Sequence, residues 1–330
     1  MFAHGRFLVS LGRALVSRRA VCAFAACMAA SLMLLPARAA EPLKVVASFS
    51  ILGDMVRVIG GENITLTTLV GPNADAHAYD PSARDNRVLA EAQVLVTNGL
   101  GFEAWMPRLV RSSGFKGLEI VASRGVTPRQ LDADDDHDDH GHADHGHGSA
   151  EGGPAVDPHA WQDLENGVRY ANNIANGLSR VDPANRAKYQ ARAELYVAEM
   201  KKLHAEIQHS FAEIPADRRR VVTPHDAFGY FSQAYGVTFF SVAGLSSDAE
   251  PSARDIARLI RQIKTSESTA LFADGSSNSR VLEQIGRETG IKVGSGGLFA
   301  DTLDVGDKPA GTYLGMLKWN AGQLIFALKP

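Results

Sequence analysis

The chain has 330 residues, 45% of them hydrophobic and 22% charged, with 34 basic against 37 acidic residues and a formal charge of −3. A mildly acidic balance argues against a nucleic-acid partner, and this much apolar sequence is enough for packed cores in two lobes. After the first forty residues no stretch is long and apolar enough to cross a bilayer.

Residues 1–39 read as a cleaved export signal. Arg6, Arg13, Arg18 and Arg19 precede an apolar run from Ala20 to Leu35, and Ala37-Arg38-Ala39 offers an A-x-A cleavage site. Removing that segment, with five arginines and no acidic residue, takes the formal charge from −3 to −8. Both cysteines, Cys22 and Cys27, leave with it, so the mature chain relies on its core without disulfides.

Short apolar runs then alternate with helical patterns. Strands are predicted at Leu43–Phe49, Ile64–Val70, Val94–Thr97 and Leu118–Ala122, then at Arg220–Thr223, Val237–Val242, Ala270–Ala273 and Ile291–Val293. Helices are predicted between them, among others at 82–91, 252–264 and 279–289. The alternation implies an α/β fold of two lobes, each with a roughly four-stranded parallel sheet flanked by helices. A long helix at 182–214 separates the halves. Asp182-Pro183 is read as its start, and Tyr189, Ala193, Tyr196, Met200, Leu203, Ile207 and Phe211 form one apolar face. The expected parts are thus a first lobe at 40–181, a linking helix and a second lobe at 215–330.

Histidines carry the chemistry. His77, His159 and His225 each sit in a short polar turn, in GPNADAHAYDPS, VDPHAW and VVTPHDAFGYF. Two of them follow predicted strands, where open α/β sheets bind ligands, and imidazole is the commonest protein ligand for Zn²⁺. A carboxylate from GGLFADTLDVGD would complete a four-coordinate set; Asp301 is the first candidate, with Asp304 and Asp307 as close rivals. Between the first two histidines lies DADDDHDDHGHADHGHGSAEGG, residues 132–153, holding His137, His140, His142, His145 and His147 among eight acidic residues. Its composition predicts a disordered, weakly zinc-gathering loop. His204 and His209 lie beside the seam of the long helix and read as structural.

Over nearly the whole mature chain the sequence resembles the metal-binding periplasmic components of zinc and manganese ABC importers, the cluster 9 (A-I) solute-binding proteins. The resemblance is carried by VVASFSILGDMV at 45–56, Gly71–Ser82, DPHAWQD at 157–163, HDAFGYFSQAYG at 225–236, EPSARDIARLIRQI at 250–263, Asp301 and YLGMLKWN at 313–320. It implies two lobes joined by one long helix and metal ligands at His77, His159, His225 and Asp301. It also implies a non-catalytic, periplasmic, monomeric carrier that docks on an ABC permease, with a periplasmic metallochaperone as a further partner. Zinc-type members place histidine at the third ligand position and manganese-type members glutamate, so His225 points to Zn²⁺. The alternative is a carrier of Mn²⁺ or of both ions, or a metal-dependent adhesin of the same fold. A zinc hydrolase is disfavoured, because no HExxH motif and no open coordination position are evident. One departure stands out: many zinc-type members carry a second-lobe disulfide, which this mature chain cannot form.

Overall fold

The computed structural model describes residues 41–131, 155–224, 226–241, 253–275 and 280–329. The export segment at 1–39, the five loop histidines and His225 therefore lie outside the described residues.

The first half runs β1 (Leu43–Phe49), α1 (Ser50–Gly60), β2 (Ile64–Val70), α2 (Ala83–Glu91), β3 (Val94–Thr97), α3 (Met106–Ser113) and β4 (Leu118–Val121). Its four strands form one parallel sheet in the order β2-β1-β3-β4. Central strands β1 and β3 are buried at every position except Lys44, as their near-continuous apolar sequence requires of parallel strands covered on both faces. Ser82 caps α2 by reciprocal bonds with Asp85.

A two-residue antiparallel ribbon follows, β5 (Arg129–Gln130) with β6 (Val156–Asp157). Sequence periodicity does not show it, because strands this short have none. Next come α4 (Leu164–Val181) and the long helix α5 (Arg186–Ala212). The long helix starts later than its sequence suggests. Asp182 ends α4, its amide bonded to Leu178 O, while its carboxylate accepts from Asn185 Nδ2 and Tyr189 Oη, both at 2.7 Å. Pro183 opens a single 3₁₀ turn, and the regular helix begins only at Arg186. The expected apolar face is buried, Leu203 being its one half-exposed member. Its 27 residues span about 40 Å.

The second half supplies β7 (Arg220–Thr223), α6 (Gly229–Tyr235), β8 (Thr238–Ser241), α7 (Ala253–Ser266), β9 (Ala270–Leu271), α8 (Arg280–Thr289), β10 (Lys292–Val293) and α9 (Tyr313–Leu328). Its parallel sheet has the order β10-β9-β7-β8. Strand β9 stops two residues before its predicted end, because Asp274 pairs instead with Leu298. None of the described helices is long and apolar enough to cross a membrane.

The two halves share one core. Trp161 and Tyr170 of the first half, Phe211 of α5, and Phe231 and Tyr313 of the second half belong to one buried apolar cluster. A smaller cluster of Val222, Ile263, Leu271, Leu282 and Ile285 lies within the second half alone. Helix α9 is pinned to the first half at its start, where Tyr313 N donates to the buried Asp54 carboxylate at 2.9 Å and Tyr313 Oη donates to Trp161 O at 2.6 Å.

Candidate metal centre

His77 lies in the turn after β2. The Asp75 carboxylate accepts from the His77 and Ala78 amides at 2.7 and 3.2 Å, and Trp105 Nε1 donates to Ala76 O at 2.8 Å. The imidazole meets Phe102 edge-on, with ring centroids 4.5 Å apart. A short Asx-type turn on a buried aromatic floor thus fixes a half-exposed ring.

His159 follows β6 and Pro158, and is 3% exposed. One oxygen of Asp157 accepts from its backbone N–H at 3.0 Å and from Nδ1 at 2.8 Å. A carboxylate facing Nδ1 places the ring proton there, leaving the Nε2 lone pair for a ligand.

Asp301 comes from the other half of the chain but is hung on the first. Trp161 Nε1 and Gln162 Nε2 donate to Ala300 O at 2.9 and 2.8 Å. Asn320 of α9 brackets Phe299 through both its backbone N–H and C=O. On the far side, Leu303 N donates to Ser50 Oγ at 3.0 Å, and Asn73 N donates to Thr302 Oγ1 at 2.7 Å.

These three segments converge. His77 Nε2 and His159 Nε2 are 3.3 Å apart; Asp301 puts Oδ2 3.3 Å from the first and Oδ1 3.3 Å from the second. Donors about 2.0–2.1 Å from a tetrahedrally held ion lie about 3.3–3.4 Å from one another, so the spacing fits one small divalent cation. Asp304 is engaged elsewhere, accepting from Val305 N at 2.7 Å and Lys308 Nζ at 3.1 Å, and Asp307 is exposed. His204 faces Tyr235 Oη at 3.1 Å and His209 is exposed beside Glu213, so neither joins the group.

Three further carboxylates surround the centre. Asp157 is fully buried. Glu103, also buried, accepts from Ser48 Oγ and Asn98 N, both at 2.6 Å, and burial holds its pKa above the ordinary value. Burial and the charge of Asp301 push Asp274 up to about 7. At His77 burial acts to depress the imidazolium, but the hydrogen bond and charge of Asp301, aided by Asp75 and Glu103, outweigh it and raise its pKa above 6.5. At His77 the Asp301 carboxylate thus favours a positive charge despite burial. None of the three was assigned a role from sequence, where a lone acidic residue reads as solvated surface; only the D-P-H spacing of Asp157 offered a signal.

The model of the family described as "Zinc-uptake complex component A periplasmic", ZnuA, matches residues 45–327. The chain belongs to that family. Among relatives of this ZnuA-family protein, the "Iron ABC transporter substrate-binding lipoprotein MtsA" of Streptococcus pyogenes is 33% identical over 290 residues, 86% of this chain and 88% of the relative. The "Manganese ABC transporter substrate-binding lipoprotein PsaA" of Streptococcus mitis is 31% identical over 296 residues, 87% and 90% of the two chains. Among solved structures, the periplasmic zinc binding protein TroA from Treponema pallidum superposes with a TM-score of 0.73 at 26% identity, covering 88% of this chain and all of that one. A manganese-bound mutant of a periplasmic metal binding protein from Candidatus Liberibacter asiaticus gives 0.73 at 26% identity, over 87% of this chain and all of that one. The ZnuA-family protein is a metal-binding substrate-binding component of an ABC transporter, not an enzyme, and its family works with a membrane-embedded transporter.

Proposed function

We propose that this protein captures Zn²⁺ between its lobes in the periplasm and delivers it to the permease of an ABC importer. The ligands in this reading are Nε2 of His77, Nε2 of His159, His225 and the Asp301 carboxylate. The observation that supports it most is the convergence of two imidazole nitrogens and a carboxylate from three distant segments at 3.3 Å spacings. His225, two residues past the end of β7 in sequence, supplies the fourth donor in this reading.

Three imidazoles and one carboxylate favour Zn²⁺ over the harder Mn²⁺, which prefers oxygen. Mn²⁺ is the second reading, favoured by the manganese-named and manganese-bound relatives. Residues 1–39 act as the export signal, and the mature carrier works as a monomer of two lobes, 40–181 and 215–330. The histidine-rich segment at 132–153 gathers Zn²⁺ weakly and offers a docking surface to a periplasmic metallochaperone.

Competition titration on protein lacking residues 132–153 tests the reading. One tightly held Zn²⁺ per chain that Mn²⁺ fails to displace is expected. Loss of the tight site would make the deleted segment the primary ligand source, and preferential retention of Mn²⁺ would favour the second reading.

A further inference from the structure

The ribbon β5–β6 plays no part in the ligand set, yet it leads straight to it. Arg129 and Asp157 are register partners across the ribbon. Arg129 Nη1 donates to Asp157 Oδ2 at 3.0 Å, and the other oxygen of that carboxylate faces His159 Nδ1 at 2.8 Å. The Asp157 side chain is fully buried and that of Arg129 is 14% exposed.

The same ribbon is gripped by the second lobe. Arg129 N donates to Tyr230 Oη at 2.9 Å, and Tyr230 Oη lies 3.4 Å from Asp157 O. Tyr230 is the second residue of α6, which begins four residues after His225. The first, Gly229, lies directly against the ion pair. A Cβ there would overlap Arg129 Nη1 and Cζ and come within 2.7 Å of Asp157 Oδ2. The bare α-carbon is what lets α6 close on the pair.

We propose that Arg129 is a positioning residue for metal capture, through which helix α6 of the second lobe sets the placement of the His159 ring. The inference rests on His159 being a ligand. A buried guanidinium fixes the rotamer of the carboxylate it faces, and that carboxylate fixes the plane and tautomer of the imidazole. Any displacement of α6 therefore reaches Nε2 of His159 through Arg129 and Asp157. A pair that served the fold alone would leave metal retention untouched in any variant that still folds.

The test measures Zn²⁺ affinity and dissociation rate, by competition with a chromophoric chelator, on the full mature protein. The variants are Gly229→Ala, Tyr230→Phe, Arg129→Met and the double Gly229→Ala/Arg129→Met. In Gly229→Ala the obstructing atoms are mainly the far end of a flexible side chain, so the fold survives while the pair is displaced. Gly229→Ala and Arg129→Met should each weaken binding by about 10- to 100-fold, mainly through faster dissociation, with Tyr230→Phe weaker in the same direction. The double variant should be no worse than Arg129→Met alone, because both act through one contact. Metal-free melting of Gly229→Ala should stay close to that of the parent. Unchanged affinity in Gly229→Ala, or losses that multiply in the double variant, would overturn the proposal. Should Arg129→Met not fold, Gly229→Ala and Tyr230→Phe decide by the same criterion. A harmless His159→Ala would refute the ligand reading itself; a damaging His159→Ala beside harmless Gly229 and Arg129 variants would refute the positioning role only.

Discussion

Trp161 Nε1 donates to Ala300 O at 2.9 Å, joining the turn after His159 to the residue before Asp301 across 139 positions of sequence. Both residues are buried. The bond ties the proposed ligand segment of the second half to the first, while Leu298, three residues before Asp301, pairs with Asp274 after β9, so the segment is held from both halves.

Trp161→Phe keeps most of the aromatic packing and removes this donor. Gln162 Nε2 still serves the same carbonyl at 2.8 Å, so the lost donor should cost only about 0.5–1.5 kcal/mol, with the cavity left by the smaller ring in this buried place adding to it. Metal retention should suffer more visibly, because the carbonyl next to Asp301 loses one of its two donors. Denaturant unfolding of the metal-free protein and a Zn²⁺ competition assay separate the two effects; unaltered metal retention would show that Gln162 alone holds the segment.

Asp301→Asn and Asp304→Asn form a matched pair. The first removes the charge beside both imidazoles and should weaken Zn²⁺ binding by orders of magnitude. The second touches a carboxylate already engaged with Val305 N and Lys308, and should leave the tight site near its parental affinity. The reverse order in isothermal titration would reassign the carboxylate ligand.

The pH dependence has a definite sign. Metal must displace any proton on a ligating imidazole. Although burial opposes it, Asp301 raises the His77 pKa above 6.5 in the metal-free protein, so His77 is protonated at a higher pH than a free imidazole. Zn²⁺ affinity should begin to fall at a pH above 6.5 and keep falling on acidification. Asp301→Asn removes the raising charge and should move that onset downward. Titrations across pH 5.5 to 8 check both, and an onset that Asp301→Asn leaves in place would contradict the assignment.

Much of the fold was legible because parallel strands covered on both faces must be apolar throughout. Leu43–Phe49 and Val94–Thr97 appear as such strands with the expected ends, and the edge strand Ile64–Val70 and Arg220–Thr223, legible by their β-branched residues instead, also keep theirs. Asp182-Pro183 misled because a helix-starting signal also suits a 3₁₀ turn between two helices. At the site, His77 and His159 were visible; residue type alone left Asp301, Asp304 and Asp307 as rivals, the family resemblance pointed to Asp301, and among the described residues the geometry groups Asp301 with the two imidazoles. Asp157 was signalled only by its spacing to His159, and Arg129, Glu103 and Asp274 were opaque for one shared reason. A charged residue carries no mark in sequence that it will be buried; only its partners, brought from Tyr230, Ser48 or Ala300, make burial tolerable.

One ion should bridge the two halves of the chain, and anomalous diffraction at the zinc edge from zinc-loaded crystals of the protein lacking residues 132–153 would locate it. One strong peak is expected within about 2.0–2.1 Å of Nε2 of His77, Nε2 of His159 and a His225 nitrogen, and about 2.0–2.2 Å of an Asp301 oxygen. A peak bound by residues of one half alone, or one that leaves either His77 or His159 uncoordinated, would contradict that bridge.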